Sequence, residues 1–133
     1  MASSAVRAAV KARLDAEWST LPVFNENEKR PASLPDRFVS INYLDGDRDI
    51  GSMNGSGGRL YRETGHLMLS VYGPLNEGAD TTLGHLETLN DLFRAQYLDG
   101  VQFYAPTPAV PQDRTDNRFA MTVLVPFQFD EIV

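Results

Sequence analysis

The sequence predicts an α+β domain: a mixed, largely antiparallel sheet of four to five strands packed with two main helices. Three runs of residues lead there. In residues 118–129, RFAMTVLVPFQF, the side chains of Phe119, Met121, Val123, Val125, Phe127 and Phe129 recur at every second position. That is the period of a strand, whose successive side chains point to opposite faces. Near the N-terminus Val6, Val10, Leu14 and Trp18 recur every four residues, the period of one helix face. Residues 65–93, GHLMLSVYGPLNEGADTTLGHLETLNDLF, begin as an alternating strand, break at Gly73–Pro74, cross a Gly-bearing acidic link and resume as an amphipathic helix. Such a switch of period marks a β-to-α unit with a short connection.

Taken in order, residues 4–18 form a first helix, with Ala5, Ala9 and Ala16 widening its stripe and Arg7, Lys11 and Arg13 lying off it. Ser3 or Ser4 can cap its start. The stretch MASSAVRAAVKARL has no acid before Asp15, a trait of transit peptides. Its periodicity continues through Trp18, however, so it reads as structure, and it contains no secretory apolar core. Pro22 ends the helical tendency, and LPVF at 21–24 suits a short edge strand. Residues 25–37 are polar with two prolines and read as a loop. Residues 38–44, FVSINYL, read as a strand with Val39, Ile41 and Tyr43 on one face and Phe38, Ser40, Asn42 and Leu44 on the other.

Residues 45–58, DGDRDIGSMNGSGG, contain five glycines and little to bury, so they read as a flexible loop. Residues 59–63 and 66–72 read as one strand bent at Gly65 or as two strands. Residues 81–98 read as the second helix, with Leu83, Leu86, Leu89, Leu92, Phe93 and Tyr97 as its stripe and Gly100 just past its end. Asp80, Thr81 or Thr82 can cap it. Residues 101–105 read as a short strand and 106–117, with three prolines, as a second loop. Pro126 lacks a ladder donor, which places that end of the last strand at or beyond a sheet edge.

Composition bounds the function. The chain has 133 residues, fitting one domain, 1–133. It contains no cysteine, which removes disulfides, thiolate metal sites and cysteine nucleophiles together. The formal net charge is −6 and the 12 Lys and Arg are scattered, against phosphate-neutralising nucleic-acid binding. No apolar run approaches the ~20 residues that a spanning helix needs.

Motifs of chemistry are absent or incomplete. His66 and His85 are the only histidines, without an HxxxH or HxxE partner. Asp45, Asp47 and Asp49 open like a calcium loop, but the required glycine falls one place late and position twelve is Ser56. The glycine string GSMNGSGG has no phosphate-loop lysine and opens onto no helix. No serine sits in a GxSxG elbow, and no carboxylate pair is marked as enclosed. No catalytic residue, cofactor site or metal site is expected. Trp18, Phe24, Phe38, Tyr43, Tyr61, Tyr72, Tyr97, Phe103 and Tyr104 lack interleaved basic residues and read as core or interface.

The last strand carries the most telling pattern. Its second face, Ala120, Thr122, Leu124, Pro126 and Gln128, is too apolar to be fully wet. Either the two helices cover opposite faces of the sheet, or one helix-free face is an interface between chains.

Most of the chain resembles the tail-terminator family of long-tailed phages. The resemblance lies in the helix RAAVKARLDAEWSTLPVF, the strand FVSINYL, the Gly-rich stretch after it, GHLMLSVYGPLNEGADTTLGHLETLNDLF and the closing strand RFAMTVLVPFQF. In that family a strand ending near V.GP is followed by a Gly-containing link and a helix ending in LF. The resemblance implies a non-enzymatic virion protein at the head-proximal end of the tail, assembled in the host cytoplasm. It implies a ring of identical chains, typically a hexamer, that caps the tail tube, ends its polymerisation and joins the head connector. Partners would be its own copies, the tail-tube protein and a head-completion protein, with DNA only passing through the lumen. The 45–58 segment would be the contact loop, with Asp45, Asp47, Arg48, Asp49, Ile50, Met53 and Asn54 as its candidate residues. A head-completion or neck protein of similar ring geometry is one alternative. A small-ligand binding module with the sheet as platform is another, and a hydrolase or isomerase using scattered carboxylates comes last.

Overall fold

A computed structural model describes residues 4–25, 35–53, 59–75, 78–115 and 118–132. Among them, in chain order, lie α1 (Ser4–Glu17), β1 (Val23–Phe24), β2 (Phe38–Met53), β3 (Arg59–Pro74), α2 (Asp80–Asp91), β4 (Tyr97–Leu98), β5 (Val101–Phe103), β6 (Val110–Thr115) and β7 (Arg118–Ile132). The α+β class holds. The sheet has seven strands rather than four to five, ordered β1-β2-β3-β7-β5-β4, with β6 also paired to β7. Every pairing is antiparallel except the parallel edge pair of β1 with β2.

Both helices lie on the same face. The register aligns Val39 with Val71 and Met121, Ile41 with Leu69 and Val123, and Tyr43 with Leu67 and Val125. Phe103 stands beside Phe127 on that face. These side chains form one buried cluster with Val6, Ala9, Val10, Leu14 and Trp18 of the α1 region and Leu86, Leu89 and Phe93 of the α2 region. Phe38 and Ala120, one position out of step in their strands, are buried yet stand outside that cluster. Alternation along a strand makes the two sets opposite faces. Arg7 places its guanidinium 4.5 Å over the Tyr43 ring, and Arg13 Nε donates to the Leu92 carbonyl at 3.1 Å, tying α1 to the end of α2. Ala16, expected to widen the α1 stripe, is exposed.

The sequence reading and the structure part at four places. First, residues 45–53 continue β2, paired with 59–64, instead of forming a loop. Here the backbone ladder to β3 runs on, from Asp47 opposite Thr64 to Met53 opposite Arg59. A register shift between Leu44 and Asp47 takes up the irregularity. Residues 54–58, including Asn54, lie outside the described residues, as does most of the 25–37 loop.

Second, α2 ends at Asp91, not near residue 98. The backbone closes in short turns, Phe93 and Arg94 both donating to the Asn90 carbonyl, and Ala95 takes a left-handed φ of 56°. Tyr97 therefore leaves the helical stripe and enters β4. Gly100 is not a helix-end glycine: Asp99 and Gly100, at φ 48° and 88°, form the two-residue turn of the β4–β5 hairpin. Two left-handed residues are what the favoured Asp-Gly hairpin turn requires. At the other end of α2 the cap position is Ala79 and no side chain caps it; Asp80 stands in the first turn, where a carboxylate is favoured by the helix dipole.

Third, the Pro-rich 106–117 stretch contains β6, paired with β7. Fourth, Pro126 is inside the sheet. Its carbonyl accepts from Tyr104 N–H at 2.9 Å, on the side of β7 away from β3. The missing N–H faces that same side, in the gap between β5 and β6, so the ladder to β3 is unbroken. In the same gap Leu124 N–H is satisfied by Thr107 Oγ1 at 3.0 Å, and Thr107 N–H by the Leu124 carbonyl at 2.9 Å.

Gly84 lies in the exposed middle of α2, and a Cβ built on it meets nothing within 4 Å. Gly84→Ala is therefore expected to raise stability by about 0.5–1 kcal/mol, the helix-propensity difference. Urea unfolding should show a higher midpoint at unchanged slope; a lower midpoint would mean that the site is not free.

Candidate functional site

The surface that stands out is the helix-free face of the sheet. Its side chains run in rows across β2, β3 and β7: Phe38, Tyr72 and Ala120; Ser40, Ser70 and Thr122; Asn42, Met68 and Leu124; Leu44, His66 and Pro126. The first two rows are largely buried. Phe38 stacks on Tyr72 at 4.7 Å between ring centroids, Phe24 meets it edge-on at 5.5 Å, and the Arg118 guanidinium lies 5.5 Å over the Phe38 ring. Arg118 also donates to the Pro35 carbonyl at 3.2 Å. The buried Ser70 and Thr122 hydroxyls bond each other at 2.8 Å across the strands.

The next two rows open to solvent. Met68, Leu124, His66 and Pro126 are half-buried, and Leu44 is 38% exposed. Large apolar side chains are exposed at the opposite border too: Tyr104 at 44% and Val110 at 58%, with Tyr97 at 68% on β4. The sheet therefore offers an apolar band with no helix over it among the described residues, bordered at both sides by exposed apolar residues. These were legible only in part. Tyr104 and Tyr97 stood among the aromatics read as core or interface; Leu44 and Val110 gave no signal beyond hydrophobicity.

Beyond this band the face becomes charged. Arg62 grips Asp130 with two hydrogen bonds, at 2.9 and 3.3 Å, and Gln128 Nε2 adds a third to the same carboxylate at 3.1 Å. The hydrogen bond from Arg62 is the main reason that Asp130 titrates below the usual carboxylate range, and it raises Arg62 in turn. A carboxylate whose folded value is depressed adds stability above its unfolded value, and that contribution disappears as pH falls through the folded one. The wild-type protein should thus lose more stability than Asp130→Asn on acidification from about pH 5 to 3. Both partners are substantially exposed, so the difference is small. Equal losses in urea titrations across this window would remove the pair from the acid response.

The sequence-derived contact residues fall as follows. Asp45, Asp47, Arg48, Asp49, Ile50 and Met53 all belong to β2, at the end of the sheet where β3 and β7 continue beside it. The structure does not gather them into a loop. His66 sits in β3 opposite Leu44 and Pro126, and His85 lies half-buried on α2. Among the described residues no group of three His, Asp or Glu side chains comes together as a metal site would require. A recess of about 250 Å³ lies between α1 and β1, lined by Lys11, Leu14, Asp15, Trp18, Leu21, Val23 and Asn25. It falls short of the ~300–1,000 Å³ of a typical small-molecule site. No helix among the described residues is long and apolar enough to cross a membrane.

These features define an α+β domain with a one-sided helical layer. No known family profile matches the chain, and neither does any curated protein. Several solved structures are similar to it; one of them shares 19% identity, with coverage of 96% of this chain and 95% of that one and a TM-score of 0.65. Its name describes no function, and at this identity the likeness speaks to the fold.

Proposed function

We propose that this chain is a structural virion protein, a tail terminator that assembles as a ring, caps the tail tube of a long-tailed phage and joins it to the head connector. The one-sided layering carries this reading. With α1 and α2 on the same face, no helix among the described residues covers the apolar band of Met68, Leu124, Leu44 and Pro126. Exposed apolar surface of this kind on a small domain marks contact with other protein. The element order on which the family resemblance rests supports the same reading, from the first helix through the strand, link and helix around Gly73 and Pro74 to the closing strand. The ring of the proposal is one of identical copies, with the tube protein on one side and a head-completion protein on the other. Its work is done by surfaces, without a cofactor or a catalytic group.

The test is tube length. The gene neighbours should encode a major tail protein on one side and head-completion proteins on the other. Virions assembled without this chain should carry overlong, headless tubes in electron micrographs, and adding the purified protein should stop growth. Tubes of normal length joined to heads in its absence would refute the proposal.

A further inference from the structure

At the end of the helix-free face away from Phe38, two exposed tyrosines flank a row of planar polar side chains. Tyr97 stands opposite Gln102 in the β4–β5 hairpin, and Gln102 stands opposite Gln128 of β7. Phe103 faces the helices beside Phe127. Tyr104 is one residue on, level with Pro126 through its N–H bond to that carbonyl at 2.9 Å, so it faces the other way. The two tyrosines therefore share the helix-free face as diagonal neighbours across the hairpin, a spacing of about 7–8 Å that aromatic side chains bridge. Tyr97 is 68% exposed and Tyr104 44%. Their hairpin is fixed by the Asp99–Gly100 turn and by the bond from Phe103 N–H to the Gln96 carbonyl at 2.8 Å.

The polar groups beside the rings are held in set orientations. Gln128 Nε2 faces the Asp130 carboxylate at 3.1 Å, and Gln102 Nε2 faces the carbonyls of Phe103 and Gln96 at 2.8 and 3.4 Å. Either amide turned round would set oxygen against oxygen, so each presents its Oε1 as an acceptor. Among the described residues neither Oε1 has a hydrogen-bond partner. Arg62, level with Asp130, spends Nε and Nη2 on that carboxylate and keeps Nη1 as a donor. Asp130 is the main influence on the guanidinium, and the Tyr104 oxygen also acts on it, so the charged pair and the tyrosines belong to one patch.

This set of groups selects its ligand. Phosphate polymers need unmatched cations, and the Arg62 charge is cancelled by Asp130. A charged peptide would find no net charge to answer it. A purely apolar partner would bury both amide oxygens without donors, which is costly. A neutral polyhydroxylated ring satisfies every group. Its hydroxyls donate to the two Oε1 atoms and accept from Arg62, and its C–H face lies on the electron-rich face of a tyrosine ring. Two rings on a flat sheet suit more than one sugar unit. In cellulose- and chitin-type chains the hydroxyls are equatorial and the ring C–H bonds axial, so each unit offers an apolar face and the chain is a straight ribbon.

We propose that the Tyr97–Tyr104 patch binds a neutral glycan of this ribbon type, stacked on the two rings and hydrogen-bonded to Gln102, Gln128 and Arg62. The inference goes beyond the ring reading and does not depend on it.

The test is calorimetric titration of the full chain with cellohexaose, with chitohexaose and with hexagalacturonate as the anionic comparison. At least one neutral hexasaccharide should bind, and more tightly than hexagalacturonate. Tyr97→Ala and Tyr104→Ala should each weaken that binding about tenfold, the order of one lost ring contact. Tyr97→Phe keeps the ring and should bind within about threefold of wild type. Glu17→Gln, at the exposed end of α1, should match wild type. Both tyrosines are exposed, so circular dichroism should show every variant folded. No binding of either neutral sugar at millimolar concentration, tighter binding of hexagalacturonate, or binding unchanged in both alanine variants would each overturn the proposal. If neither sugar binds while Tyr97→Ala breaks an oligomer seen by light scattering, the patch is a protein contact; the glycan site falls and the ring reading stands. Glycan binding by a chain that stays monomeric even with tube protein would uphold the site and overturn the ring.

Discussion

Replacing Phe103 by Ala is expected to cost about 3–5 kcal/mol of folding stability, the usual range for deleting a buried Phe. Phe103 is fully buried. Its ring packs 5.3 Å from Phe93, in the turn that follows α2, and 6.3 Å from Phe127 of β7. It therefore joins the helical layer to the central strand at the level where β5 adds to the sheet. No polar group needs to be satisfied there, so the loss is apolar transfer plus the void left behind. The two aromatic neighbours are themselves pinned, Phe93 by the short turns after α2 and Phe127 by ladders on both sides, so the void has little means to collapse. Against a typical domain stability of ~5–15 kcal/mol, such a loss leaves a marginal fold. The adjacent Tyr104 is the internal control. It is one residue on, points to the opposite face and is 44% exposed. Tyr104→Ala should change stability by less than about 1 kcal/mol. Comparable urea midpoints for the two variants would contradict the assignment of faces.

How far the sequence foretells this structure depends on whether the deciding interaction is local. The alternation of Phe119 through Phe129 and the four-residue spacing of Val6, Val10, Leu14 and Trp18 each report a face, and those faces are the ones buried. Neither pattern says on which side of the sheet a helix lies, so the common side of α1 and α2, and with it the bare face, was beyond reach. Residues 45–53 read as loop because Asp and Gly offer no apolar alternation; what makes them strand is the ladder to 59–64, more than ten residues away for most pairs in the chain's own numbering. The end of α2 was closer to legible. Tyr97 continues the spacing from Phe93 and so invites a longer helix, but Asp99–Gly100 is a hairpin signal that outranks it. The left-handed turn at Ala95 has no such signature, since Ala rarely adopts it. Of the surface that the ring proposal uses, the two-faced character of β7 was readable; Leu44 and Val110 became notable only once the sheet order placed them at opposite borders.

Adding a side chain at Gly73 is expected to destabilise the fold, by about 1–2 kcal/mol for Ala and about 2–3 kcal/mol for Val, within the range of core overpacking. Gly73 is the last residue but one of β3, the strand that leads to α2, and is not in a left-handed conformation, so its role is space rather than backbone freedom. A Cβ there would stand 2.9 Å from Thr82 Oγ1 and 3.0 Å from Arg37 Nη1. Arg37 is a long side chain that can give way at its tip. Thr82 cannot: it is 2% exposed in the first turn of α2, with no water to swing into. Two effects oppose each other. Gly→Ala removes unfolded-chain entropy and gains ~0.4–1 kcal/mol where the site is compatible; the contact below 3 Å shows that this one is not, and the larger steric term decides the sign. The mechanism makes a sharper demand than the direction alone. In a Thr82→Ala background the obstructing Oγ1 is gone, so the cost of Gly73→Ala should shrink by at least about 0.5 kcal/mol, the coupling expected of residues in contact. Additive losses in that double-mutant cycle would mean that the glycine is kept for another reason. Shrinkage would instead establish that the close approach of Thr82, in the first turn of α2, to Gly73 is what excludes a side chain at this point of β3.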